Sequence, residues 1–321
     1  MPKLGFVQVE VSTRCQLSCL MCPKSCFSDE WIAKDMNMET FRLIPFKKFH
    51  YAHLQGWGEP LLNPNIGEMV DIAAKSCKVG LTTNGLLIDH HIDSILKLDL
   101  LAVSVASGDA RQHERVRGCS LEKLAGNIKL VSESRGKRPK IVIATMMLKS
   151  TIESLPKLID FAAECGADEV IANNLDYIPS KELVGEEVFG LTADKDVEKA
   201  VEQAGKRAEE LGIGFIAKPR LMEEALVCAE NPVENCVVAV DGRIAPCAYL
   251  NLPTASETIP RWFRGRIVEV PKVYFCSFKE WLKSSFRETF KRRLQVLHQS
   301  LPNEHPPLPQ PCRTCYKAYS V

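Results

Sequence analysis

From the first residues to about position 220, short runs of β-branched residues alternate with amphipathic stretches of helical periodicity. That alternation argues for a parallel sheet whose strands are joined by crossover helices. Strands are expected at residues 5–11, 53–56, 79–83, 101–105, 141–146 and 169–173, with helices at 65–75, 89–97, 121–134 and 154–165 between them. Six such units favour an open barrel over a closed eight-fold one. The expected fold class is therefore α/β, a partial (β/α)6 TIM-like barrel. A surface helix at 195–212 and a short strand at 213–217 follow, and then the pattern changes. Residues 236–247 read as a hairpin turning at Asp241-Gly242, 277–297 as a basic amphipathic helix, and 302–311 as a proline-rich tail. A boundary near residue 220 divides the chain into a barrel at 1–220 and a smaller unit at 221–321.

Charge excludes little but supports no charged partner. With 41 basic against 40 acidic residues, the net charge of +1 gives no global field for nucleic acid or an anionic membrane. The chain opens directly on a strand-like run, and no stretch reaches the ~20 apolar residues of a membrane span. We therefore expect a cytoplasmic protein. Thirteen cysteines in such a chain read as ligands or buried thiols rather than a disulfide framework.

Cys15, Cys19 and Cys22 fall within eight residues, directly after the first strand. Thiolates hold four-iron clusters, and a short loop with this spacing can reach one cube corner after another. Three ligands leave one iron open, and an open metal position can bind a small molecule instead of merely passing electrons. A zinc knuckle is the alternative, but zinc favours paired two-residue spacings with a distant second pair. Cys26, beyond Pro23, is a poorer fourth ligand.

The triplet resembles the signature of the radical S-adenosylmethionine (radical SAM) superfamily, whose open iron chelates the amino and carboxylate groups of SAM. Met21 stands where relatives often have an aromatic residue, and its thioether can still pack against adenine. Later segments carry the resemblance onward to about residue 175. Gly56-Trp57-Gly58-Glu59-Pro60 is similar to a Gly-Gly-Glu-Pro segment near the SAM amino group, which singles out Gly58 and Glu59. Thr83-Asn84-Gly85 resembles a Thr-Asn-Gly segment. Ser104 stands at the end of the fourth strand, where relatives place a serine that bonds SAM's polar groups, and Arg117-Gly118 resembles an Arg-Gly pair of the same relatives, which implies that Arg117 grips the SAM carboxylate. Taken alone, Ser104 reads equally well as a strand-end cap and Arg117 as a surface charge. Their order at consecutive strand ends joins them, since such sheets bind ligands beyond their carboxyl ends. Thr145 and Asn173 are less telling.

Cys228, Gly242 and Cys247, followed by Cys312-Arg-Thr-Cys315, resemble the SPASM/twitch extension of one branch of that superfamily. This implies an auxiliary cluster on Cys228, Cys247, Cys312 and Cys315, with Cys236 or Cys276 as substitutes for Cys228 and a four-thiol zinc as the alternative occupant. The chain's stop at Val321 favours one auxiliary cluster. Implied cofactors are a SAM-binding [4Fe-4S] cluster, SAM, and a second [4Fe-4S] cluster. Implied activity is reductive cleavage of SAM to a 5′-deoxyadenosyl radical that takes hydrogen from a substrate, fed by a ferredoxin or flavodoxin. The substrate is expected to be a peptide, protein or small metabolite, in protein modification or metalloenzyme cofactor maturation. Dehydrogenation of a small molecule, and a non-catalytic electron-transfer or regulatory role, are the alternatives. Residues 183–190 and 252–263 are expected to shape the pocket.

Overall fold

The computed structural model describes residues 3–296 and 306–321. Strands β1 (Leu4–Val9), β2 (Phe49–Leu54), β3 (Lys78–Thr83), β4 (Leu100–Ser104), β5 (Lys140–Met147), β6 (Glu169–Asn174) and β7 (Gly214–Ala217) run parallel in sequential order. On the other side of β1 lies β8 (Cys236–Val238), also parallel to it, and β9 (Ile244–Ala245) closes that edge antiparallel to β8. Among the described residues this makes one nine-stranded sheet, the expected partial barrel extended at both edges. The β8–β9 hairpin turns at Gly242, whose φ of +89° suits glycine. A separate antiparallel pair, β10 (Thr258–Phe263) and β11 (Arg266–Pro271), was not expected from the sequence.

Strand alternation decides what faces the interior. Val7 and Val9 on β1, Ala52 and Leu54 on β2, and Leu101 and Val103 on β4 are buried in the main core. Their neighbours Phe6, Gln8, Tyr51, His53, Ala102 and Ser104 line a central cavity instead. The sheet therefore packs helices on one face and keeps polar groups on the other, where a ligand can sit.

Some elements differ from expectation for local reasons. The second strand starts at Phe49, since His50, Tyr51 and His53 mask its period; the helix at 89–97 is a 3-10 turn, Asp89–His91, and one short helix, Ile92–Ile95. Helix Ala110–Arg117 was not anticipated; Asp109 caps its start by accepting from the Gln112 N–H, and Gly118 at φ +72° ends it. The basic helix at 277–297 is two helices, Phe278–Lys283 and Ser285–Gln295. Between them Ser284 leaves helical geometry and accepts from the Arg287 N–H; Leu297 and residues 302–305 lie outside the described residues.

Glu10 binds the two parts of the chain together. Its carboxylate is 1% exposed and accepts from Trp57 N at 3.0 Å, Val240 N at 3.4 Å and Asn251 Nδ2 at 3.4 Å. Burial pushes this carboxyl up to about 7. Gly56 makes room for it, since a Cβ there would lie 2.3 Å from the Glu10 Cγ.

Candidate active site

The loop after β1 is held before it reaches the first cysteine. Thr13 Oγ1 donates to Ile32 O at 2.6 Å and accepts from Lys34 N at 2.8 Å, while Trp31 Nε1 donates to Thr13 O at 2.8 Å. Farther on, Leu20 N donates to Val116 O at 2.8 Å, so the cysteine loop docks on helix Ala110–Arg117. Cys22 immediately precedes the short helix Pro23–Cys26, with Pro23 at its first position, and its thiol makes no capping bond.

Ten residues singled out in the sequence line one cavity of about 240 Å³: Cys15, Cys19, Cys22, Met21, Gly58, Glu59, Thr83, Asn84, Ser104 and Arg117. Cys26 is outside this wall. Asn84 Nδ2 points to Cys15 Sγ at 3.8 Å, and Arg117 Nη1 to Cys19 Sγ at 3.9 Å. Arg117 Nε is buried with no partner among the described residues. A buried guanidinium nitrogen left unpaired is costly and marks a place for an acceptor.

Gly58 and Glu59 do structural work at the cavity's edge. A Cβ on Gly58 would meet Ser12 O at 2.5 Å, Arg14 O at 2.6 Å and Thr13 C at 2.6 Å, so glycine is required by the cysteine loop's own backbone. Glu59, 2% exposed, accepts from Leu61 N at 3.0 Å, Thr83 Oγ1 at 2.7 Å and Asn84 N at 2.7 Å, which fixes the turn after β3. Burial pushes its carboxyl up to about 7.

A larger cavity of about 620 Å³ shares Gln55, Trp57, Ser104, Arg117, Met146 and Asp176 with the first. Thr145 and Asn173 line it, as does His53, which sequence reasoning missed. His53 is held by Tyr51 Oη at 2.9 Å and Thr82 Oγ1 at 2.7 Å, and burial lowers its pKa to about 4, so the imidazole is neutral near pH 7. Residues 183–190 and 252–263 contribute nothing to the walls of these two cavities; Leu183 and Phe189 pack behind Cys19 and Met21 instead, and Leu252 and Ile259 pack beside Tyr177.

Cys228, Cys247, Cys312 and Cys315 line a third, narrow cavity with Glu230, Tyr249, Arg261 and Lys317. Cys236 lies in the barrel core at 1% exposure and Cys276 is exposed, so neither joins that wall. The group between the second and third cavities was also missed. Lys317 Nζ lies 2.8 Å from Asp176 Oδ2 and 3.8 Å from Glu230 Oε1, and Tyr249 Oη donates to Asp176 Oδ1 at 2.8 Å.

Burial pushes the thiols of Cys22 and Cys228 up to about 12 and raises those of Cys15, Cys247, Cys312 and Cys315. Bare thiols so placed stay protonated, and a metal's positive charge is what converts them to thiolates. Among the described residues no three His, Cys, Asp or Glu side chains converge as a single-ion site requires. A cluster needs thiols spread around a volume.

Residues 9–162 match the family model described as the radical SAM superfamily. That stretch is a radical SAM domain. Radical SAM chemistry implies a four-iron cluster and SAM, and the site fits them: three thiols, an orphaned guanidinium nitrogen and a buried thioether share one cavity. A relative, the "Tungsten-containing aldehyde ferredoxin oxidoreductase cofactor-modifying protein" of Pyrococcus furiosus, is 27% identical over 273 residues, 80% of this chain and 74% of the relative. Streptococcus suis SuiB bound to precursor peptide SuiA superposes with a TM-score of 0.61 at 15% identity, over 100% of this chain and 71% of SuiB. anSMEcpe with bound AdoMet and Cp18Cys peptide gives 0.64 at 15% identity, over 99% and 96%. These two likenesses show a shared fold. No helix among the described residues is long and apolar enough to cross a membrane.

Proposed function

We propose that this protein cleaves SAM reductively and uses the radical to modify a protein or a metalloenzyme cofactor during maturation. The observation that carries the reading is the convergence of Cys15, Cys19 and Cys22 with Met21, Ser104 and Arg117 on one cavity that shares a wall with a larger one. The name of the Pyrococcus furiosus relative supports the maturation subclass.

In this reading Cys15, Cys19 and Cys22 hold the first cluster, which with SAM supplies methionine and a 5′-deoxyadenosyl radical that takes hydrogen from the substrate. Arg117 offers its unpaired Nε to the SAM carboxylate, and Met21 packs against the adenine. Glu59 holds the Thr83-Asn84 turn at its working position, and Asn84 Nδ2 orients Cys15. The neutral His53 and the Asp176–Lys317 pair give the substrate cavity fixed polar contacts. Residues 221–321 form the auxiliary unit, where Cys228, Cys247, Cys312 and Cys315 hold a second four-iron cluster. A ferredoxin or flavodoxin supplies the electrons.

Anaerobic reconstitution with iron and sulfide, then dithionite and SAM, tests the proposal. It predicts 5′-deoxyadenosine, lost in Cys15→Ala, Cys19→Ala and Cys22→Ala. A wild-type chain that binds iron at these thiols and never forms the nucleoside would refute it.

A further inference from the structure

Strand β10 places an arginine where its pleat faces inward. Its buried positions are Ile259 and Arg261, and Arg261 is only 3% exposed. The guanidinium's Nη2 donates to the carbonyl of Pro311 and to Thr314 Oγ1, the latter at 3.3 Å. Those contacts flank Cys312 and draw the Cys-x2-Cys loop against β10. Nε and Nη1 are buried with no partner among the described residues. A guanidinium carries five donors and no acceptor, so burying part of its fork unpaired is unfavourable unless an acceptor arrives.

The acceptor's place is already walled. Arg261 lines the same cavity as Cys228, Cys247, Cys312 and Cys315. The other charged groups on that wall are Glu230 and Lys317. Lys317 spends its charge on Asp176 at 2.8 Å and Glu230 at 3.8 Å, so its ammonium is already engaged. Arg261 is therefore the cation on this wall that keeps buried, unpartnered donors among the described residues.

We propose that Arg261 donates to the sulfur of the anionic cluster held by these four cysteines and raises its reduction potential. Reduction adds negative charge to the cluster; a fixed positive charge and N–H donors at sulfur stabilise that form more than the oxidised one, and both levers set iron–sulfur potentials. Arg117 Nε stands in the same relation to the first cysteine site, where it is also unpartnered among the described residues. At that site SAM is the expected acceptor; at this one four protein thiols leave sulfur as the acceptor. The inference rests on the reading that the four thiols hold a cluster.

The test uses the full chain, reconstituted anaerobically, with iron and sulfide counts and a redox titration of both clusters followed by electron paramagnetic resonance. Arg261→Gln removes the charge, Arg261→Lys keeps it, and Thr314→Val cuts one loop tie without touching it. The expected result is about eight irons per chain in all forms. In Arg261→Gln one cluster shifts its reduced-to-oxidised ratio at least tenfold toward oxidised at fixed potential, about 59 mV for one electron. The other cluster stays put, Arg261→Lys restores most of the shift, and Thr314→Val leaves both potentials unmoved. Full iron in Arg261→Gln with both potentials unchanged overturns the proposal. Should Arg261→Gln shed the auxiliary iron, Arg261→Lys decides: retained iron with a near-native potential supports the charge role, and lost iron reduces Arg261 to a loop tie. About four irons in the wild type would overturn the cluster reading itself, a failure distinct from the others.

Discussion

Adding one methyl group at Gly58 tests how the cysteine loop is held. Its Cβ would stand 2.5 Å from Ser12 O and 2.6 Å from Arg14 O, where ordinary contact begins at 3.4 Å, so backbone must retreat by nearly an ångström. No flexible side chain can absorb this, since the three nearest atoms all belong to the backbone of residues 12–14. The Arg14 carbonyl also accepts from Glu59 N at 2.7 Å, and Cys15 is the next residue, so the retreat moves the first thiol. Overpacking of this kind costs about 1–3 kcal/mol, and a displacement of about 1 Å at a reacting centre can cost ~100-fold in rate. Gly58→Ala should therefore lower the melting temperature and reduce 5′-deoxyadenosine formation from SAM by about two orders of magnitude. Gly126→Ala is the control, because nothing lies within 4 Å of its added Cβ in helix Leu121–Ser134. It should stabilise the chain by about 1 kcal/mol and leave the rate unchanged. A Gly58→Ala chain with wild-type iron, rate and stability would refute the account of that glycine.

Three further outcomes follow. Arg117→Met should keep the first cluster's iron while raising KM for SAM at least about tenfold, measured by nucleoside formation against SAM concentration; an unchanged KM removes Arg117 from the SAM site. Glu10 and Glu59 have folded values of about 7, above the ordinary 4.5, so their contribution to stability is full below 4.5 and is lost as pH rises through 7. The unfolding free energy of the metal-free chain, from urea titrations, should accordingly fall from pH 5 to 7.5, by about 2 kcal/mol per group, and Glu10→Gln should flatten that slope; parallel slopes in the two chains contradict it. Cys247→Ser and Cys312→Ser should each remove about four irons, whereas Cys236→Ser, in the barrel core, should remove none.

The first cysteine site was legible because its ligands are close in sequence and its other walls come at strand ends in chain order. Gly58, Thr83, Ser104 and Arg117 each follow a readable strand or precede a readable glycine, so order alone placed them on one rim. Roles were less legible than positions: the resemblance sets Gly58 near the SAM amino group, and in the structure the space a Cβ would need there is taken by the backbone of Ser12–Arg14. Glu10, Asp176, Glu230, Arg261 and Lys317 were not legible at all. Their partners lie far along the chain, as in the bond from Tyr249 to Asp176 across 73 positions, and no local spacing announces such a pair. The hairpin at Asp241-Gly242 was readable from its turn, yet its parallel pairing with β1 is a tertiary choice. Helix Ala110–Arg117 escaped notice because its sequence is mostly polar, leaving only His113 and Val116 to mark the buried face.

The most direct measurement uses a chain in which Cys312 and Cys315 are both serine, so that only the first site can carry a cluster. Reduced anaerobically and examined by electron paramagnetic resonance, it should give one four-iron signal whose g-values change when SAM is added, because a nucleotide then occupies the open iron. A signal indifferent to saturating SAM, or zinc in place of iron at Cys15, Cys19 and Cys22, would contradict the account.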